Sequence, residues 1–126
     1  LPRLHLLLYF PGHPVPTAWA YGALDRARRR GLTRVPFSPK MLSLRLRRNE
    51  LDKAAALIHN DFEQVVFRAH PGLARAKASL IESGAWAAAL SGSGSTVYGL
   101  VTAQGWHDPM AAMSRSNFPC IHTRSL

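Results

Sequence analysis

The apolar residues of this chain fall in short blocks separated by turn-forming residues, and each block has its own period. The first block, LHLLLYF from Leu4 to Phe10, is apolar at every position but His5. A near-continuous apolar run of that length suits a central strand covered on both faces. Pro11 and Gly12 end it, and the loop PGHPVP is stiffened by three prolines. Thr17 then stands where its hydroxyl can accept a first-turn N–H and cap a short helix over TAWAYGALDRA. The stretch RARRRGLTRVPFSPK, broken by Gly31, Pro36 and Pro39, reads as a loop.

From Met41 to His59 the apolar positions Leu44, Leu51, Ala55 and Ile58 define one helical stripe, with Arg45, Arg48 and Asp52 off it. Asn60 followed by Glu63 has the spacing of an Asn-capped helix with a reciprocal carboxylate. That helix, DFEQVVFRAH, is stopped by Pro71, which opens the next as a first-turn residue. In PGLARAKASLIESG one face carries Leu73, Ala76, Leu80 and Ile81, and Gly84 is a natural C-terminal cap. Strands are expected at Trp86 to Leu90 and at Thr96 to Val101, then a short helix near Asp108 to Ser114 and a last strand from Cys120 to Thr123. This order predicts an α+β fold: a largely antiparallel four-stranded sheet with helices packed on one face.

Length and composition narrow the class. The 126 residues make one domain, and 47% hydrophobic with 18% charged residues is a globular balance. No apolar run reaches the ~20 residues that span a bilayer, and the opening LPRLHLLLYF lacks the cleavage pattern of a secretory signal. Cys120 is the single cysteine and lies in an apolar run, so a buried thiol and a reducing, cytoplasmic setting are expected. The six histidines form neither an i, i+4 pair nor a cysteine-paired zinc pattern, which gives metal binding little support. Sixteen basic against seven acidic residues leave a net charge of +9. Nine of the basic side chains run from Arg26 to Arg48 with no acidic residue between them. Such a cluster can hold RNA or a phosphorylated ligand by charge alone, or be a solvated face. No aromatics interleave with it as on a base-stacking platform.

The stretch LSGSGSTVYGLV holds the main chemical candidate. Gly92 and Gly94 can take backbone angles closed to other residues, and Ser91, Ser93 and Ser95 add hydroxyls. Successive N–H groups in such a loop can form an anion-binding concavity. It is neither a Walker A loop nor a dinucleotide fingerprint, because the Gly-Lys-Ser/Thr triplet and the GxGxxG spacing are both missing. A plain hairpin turn and a phosphate-side loop both remain open on these residues alone.

Three pieces in fixed order extend the reading: Pro-x-Pro-Thr at residues 14 to 17, Asn-Asp-Phe-Glu at 60 to 63 and Ser-Gly-Ser-Gly-Ser at 91 to 95. Together they resemble the C-terminal half of the GHMP kinases, and within that superfamily the kinases of 4-diphosphocytidyl-2-C-methyl-D-erythritol. The resemblance covers nearly the whole chain and is poorest between residues 26 and 48. It implies a ferredoxin-like C-terminal domain over residues 1–126 and ATP-dependent phosphorylation of that substrate's 2-hydroxyl in non-mevalonate isoprenoid synthesis. A mevalonate-type GHMP kinase and a basic α/β RNA-binding module are the alternatives.

By the resemblance, Ser91, Gly92, Ser93, Gly94 and Ser95 form the superfamily's third motif, beside the phosphate loop of the other half. Thr17 and an aromatic four positions later, Tyr21, hold the cytidine end of the substrate, with Trp19 as the alternative. Ala18 stands where relatives often carry a second proline. The superfamily's phosphate loop and its lysine–aspartate pair are missing from these residues. ATP with magnesium is therefore expected to bind mainly to an N-terminal kinase domain outside this sequence. No catalytic residue is expected in the chain, which should be inactive by itself, with neither nucleic acid nor membrane as a partner.

Overall fold

The computed structural model describes residues 3–103 and 120–125. The helix expected near Asp108 to Ser114 lies outside them. Four strands form one sheet: β1 (His5–Tyr9), β2 (Ala87–Leu90), β3 (Val97–Val101) and β4 (Cys120–Arg124). Their order is β2-β3-β1-β4, and all three pairings are antiparallel. This is the ferredoxin-like order, with β1 central as its apolar sequence predicts. Between β1 and β2 lie α1 (Thr17–Arg29), α2 (Pro39–Arg47), α3 (Leu51–Ala55), α4 (Glu63–Ala69) and α5 (Pro71–Glu82).

The registers place Leu7, Ala88, Leu90, Val97, Gly99, Val101 and Cys120 on one face of the sheet. All of these but Gly99 contribute side chains to the core, with Ala20 of α1, Val66 of α4 and Leu73 and Leu80 of α5. Cys120 is buried there, as its apolar setting predicts. Gly99 fixes how closely α5 sits. A Cβ at that position would lie 3.1 Å from the Ala85 Cβ and 3.3 Å from the Leu80 Cβ. A helix can lie against the strand there because the strand has no side chain at that point. On the opposite face Leu6 and Leu8 are only half-buried, so β1 is less completely covered than its run of leucines suggests.

Several elements differ from the sequence pattern for local reasons. α1 runs on to Arg29, through arginines read as loop. Arg26, Arg28 and Arg29 occupy its last turn, where cations complement the helix dipole, and Gly31 follows at φ +104°. Ser38 caps α2 by accepting from the Met41 amide, with Pro39 at the first helical position. The helix expected across 41 to 59 is two helices. Asn49 takes the left-handed conformation at φ 55°, which Asn tolerates better than most residues. Glu50 then pairs with Arg45 at 2.6 Å and Lys53 at 2.9 Å. These two cations hold its carboxyl at a pKa of about 2. The break rotates the stripe, so Leu46 and Ala54 are the buried positions, and the expected Leu44, Leu51, Ala55 and Ile58 are half-buried. In α5, Leu73, Ala76 and Leu80 are buried as expected, whereas Ile81 is 44% exposed. Gly84 ends α5 at φ +108°.

Candidate substrate site at the glycine loop

The loop Ser91–Thr96 is the turn of the β2–β3 hairpin. The last bridge pairs Leu90 with Val97, and the Ser91 amide donates to the Thr96 carbonyl at 2.8 Å. Inside the turn the Gly94 amide donates to the Ser91 carbonyl at 3.0 Å. The amides of Gly92, Ser93 and Ser95 make no hydrogen bond among the described residues. Gly94 is therefore a turn residue, and three neighbouring donors are left for a ligand.

Two elements far away in sequence clamp this turn. Asn60, just before α4, donates through Nδ2 to the carbonyls of Leu90 and Gly92, both at 2.8 Å. Its Oδ1 accepts from the Phe62 amide at 2.9 Å. Glu63 accepts the Leu90 amide at 2.8 Å on one carboxylate oxygen and the Lys77 ammonium at 2.7 Å on the other. Asn60 and Glu63 thus share a structural task that differs from the reciprocal helix cap read from their spacing: α4 has no side-chain cap. Both side chains reach across to the end of β2 and hold the loop. The spacing signalled a special pair, but its long-range targets are not visible in a local pattern.

The Pro-x-Pro-Thr loop closes the other side. Val15 is buried, and a Cβ on Gly94 would lie 3.3 Å from the Val15 Cγ2 and 3.4 Å from the Leu90 Cδ1. Thr17 does not cap α1, whose N-cap is Pro16 with no side-chain hydrogen bond. Its hydroxyl instead lies 3.4 Å from the Ser93 hydroxyl. Three motifs separated by more than forty and by about thirty residues meet at one end of the sheet.

α1 carries the two aromatic candidates to opposite sides. Tyr21, 55% exposed, lies edge-on to Phe62 with ring centroids 4.9 Å apart. It lines a groove of about 700 Å³ with Phe37, Arg34 and Asn60. In that groove Arg28 is neutralised by Asp61 at 3.0 Å. Because Asn60 lines the groove and also holds the glycine loop, the groove and the loop are contiguous. Trp19 faces the other way, with its ring edge-on to His70 at 5.8 Å, beside a separate cleft. Thr17, Tyr21 and the Ser91–Ser95 loop thus gather around Asn60, and Trp19 does not join them. Among the described residues no three His, Cys, Asp or Glu side chains come together in a way that could hold a metal ion, and no helix is long and apolar enough to cross a membrane.

The family model for the C-terminal part of GHMP kinases matches residues 42–112, more than half of the chain, including both the Asn60–Glu63 and Ser91–Ser95 motifs. The chain belongs to the GHMP kinase C-terminal family. Its relatives include the 4-diphosphocytidyl-2-C-methyl-D-erythritol kinase of Nitratidesulfovibrio vulgaris, 41% identical over 105 residues, which are 75% of this chain and 32% of the relative. The enzyme of the same name from Chlorobium phaeobacteroides is 34% identical over 119 residues, covering 94% of this chain and 40% of the relative. The chain spans about a third of the length of the curated relatives it matches. Among solved structures, a 4-(cytidine 5′-diphospho)-2C-methyl-D-erythritol kinase superposes over 98% of this chain and 43% of its own, with a TM-score of 0.72 at 22% identity. The L. major mevalonate kinase in complex with R-mevalonate superposes over the same 98%, with a TM-score of 0.66 at 14% identity. Both establish the fold, and with it the α+β class expected from the sequence. The family is one of ATP-dependent kinases.

Proposed function

We propose that this chain is the substrate-side domain of a kinase that transfers the γ-phosphoryl group of ATP to the 2-hydroxyl of 4-diphosphocytidyl-2-C-methyl-D-erythritol. The observation that carries the reading is the meeting of Thr17, Tyr21, Asn60 and the Ser91–Ser95 loop at one end of the sheet. Tyr21 supplies a half-exposed ring beside a groove large enough for a nucleoside, and stacking on a base requires only a π face. The Thr17 hydroxyl lies 3.4 Å from the Ser93 hydroxyl of the glycine loop. The unpaired amides of Gly92, Ser93 and Ser95 are suited to an anionic group there.

Phosphoryl transfer rests on charge neutralisation and positioning of the γ-phosphate. In this reading a partner domain, the N-terminal kinase half, binds ATP with magnesium, and this chain binds and orients the cytidine-bearing substrate. The setting proposed is the cytoplasm. The relatives named for this activity support the substrate choice over a mevalonate-type kinase. The RNA-binding alternative has less support, because the nine basic residues of the 26–48 segment lie on α1, the loop after it, α2 and its C-cap Arg48, and not on the sheet.

The test is calorimetric titration of cytidine 5′-diphosphate into the wild-type chain and into Tyr21→Ala. Loss of one stacked base, roughly 1–3 kcal/mol, weakens binding about 5- to 150-fold. Unchanged affinity in a folded Tyr21→Ala chain contradicts the base-binding role.

A further inference from the structure

The side of α1 away from Tyr21 carries a second concavity that the proposed reaction leaves unused. Residues Trp19, Ala23, Arg26 and Ala27 of α1 and its C-cap Arg30 follow one another at helical spacing, and Val65 and Arg68 of α4 line the same concavity. Together with Leu32 beyond the end of α1, they line a half-open cleft of about 450 Å³, within the range of small-molecule sites. Its apolar lining comes from Ala23, Ala27, Ala69, Leu32 and Val65, with Trp19 among them.

The charge in this cleft is all of one sign. Arg26, Arg30 and Arg68 line it, no acidic residue does, and none of these three side chains has a carboxylate partner among the described residues. Asp61 before α4 and Glu63 in its first turn are engaged elsewhere, with Arg28 and with Lys77. The two concavities flanking α1 therefore differ. The Tyr21 groove has its half-buried Arg28 neutralised by Asp61, whereas the Trp19 cleft is lined by three arginines with no ion-pair partner among the described residues. Like charges gathered over low-dielectric walls focus a positive potential into the cleft, and guanidinium forks are the side chains best matched to phosphate oxygens.

We propose that this cleft is a binding site for a small phosphate monoester whose other end is apolar. The phosphate sits among Arg26, Arg30 and Arg68, and the apolar end lies on Leu32 and Val65 against Trp19. The site is distinct from the substrate groove, since the body of α1 separates them and no residue lines both. A phosphate monoester with an apolar end occurs both as a soluble metabolite and as the headgroup of phosphatidate. A volume of about 450 Å³ matches a small soluble ester.

The experiment is calorimetric titration of the chain with 1-naphthyl phosphate, with inorganic phosphate and with 1-naphthol, alongside a sedimentation assay with phosphatidate vesicles. The expected result is that 1-naphthyl phosphate binds at least tenfold tighter than either half-ligand. Arg26→Ala and Arg68→Ala, both exposed and unpaired, should each weaken it at least fivefold without loss of helix signal, while Tyr21→Ala leaves it unchanged. Equal affinity for 1-naphthyl phosphate and inorganic phosphate overturns the proposal by reducing the cleft to a patch of charge. Loss of binding in Tyr21→Ala also overturns it, by moving the ligand to the other groove. Vesicle binding that requires the arginines, with the soluble ester silent, overturns the small-molecule assignment.

Discussion

At the scale of single residues, the two loop glycines have different tasks. Gly92 has φ +55° and open space where a Cβ would be, whereas Gly94 has φ +99° with Val15 and Leu90 against that position. Gly92→Ala should cost about 1–2 kcal/mol for the left-handed backbone alone. Gly94→Ala adds to its own positive φ a tight 3.3 Å contact with the Val15 Cγ2, which must give by a few tenths of an ångström, and should destabilise more. Denaturant midpoints of the two variants check the order. If Gly92→Ala proves the more damaging, the inward orientation of Gly94 is contradicted. Asn60→Asp is the sharper probe of the clamp. It keeps the Phe62 acceptor but replaces the amide that donates to two carbonyls with a carboxylate facing them. A loss of about 1–3 kcal/mol is expected from the unsatisfied groups, read as a lowered denaturation midpoint. No loss would mean that the loop holds itself.

At the scale of elements, short-range chemistry was legible and long-range partners were not. β1, α5 with Pro71 at its start and Gly84 after its end, and the β2–β3 hairpin can all be read from period and turn residues, since each is dictated locally. The continuous helix across 41–59 could not be corrected from its stripe. Its break depends on Asn49 going left-handed and on Glu50 bridging Arg45 and Lys53. That corner carries a pH signature. The Glu50 carboxyl is held at about 2, below its ordinary 4.5, so its folded-state pKa is depressed. The contribution it makes is present above about pH 4.5 and is lost as pH falls towards 2. Comparing wild-type and Glu50→Gln midpoints across that window should show the wild type losing its small advantage as the pH falls. A difference between the two proteins that is constant with pH contradicts the ion-pair account.

At the scale of the whole molecule, a four-stranded sheet brings three distant motifs to one end, and a single helix divides the surface beside them into two concavities of different chemistry. The sequence motifs singled out three segments that the fold brings together. What they could not convey is that Asn60 is the common tether, or which side of α1, that of Trp19 or that of Tyr21, faces the groove beside it. Side chains at i and i+2 on a helix diverge, so of the two aromatics considered for the base only Tyr21 lies beside the glycine loop. The account holds that this domain supplies the substrate half of a kinase site and requires a partner domain for ATP. The most direct measurement is turnover by a chimaera in which this chain replaces the C-terminal portion of the Nitratidesulfovibrio vulgaris relative, assayed beside the chain alone. The account predicts ATP-dependent phosphorylation of 4-diphosphocytidyl-2-C-methyl-D-erythritol by the chimaera and none by the chain. Turnover by the chain alone, or a folded chimaera that phosphorylates mevalonate and not the diphosphocytidyl substrate, would contradict it.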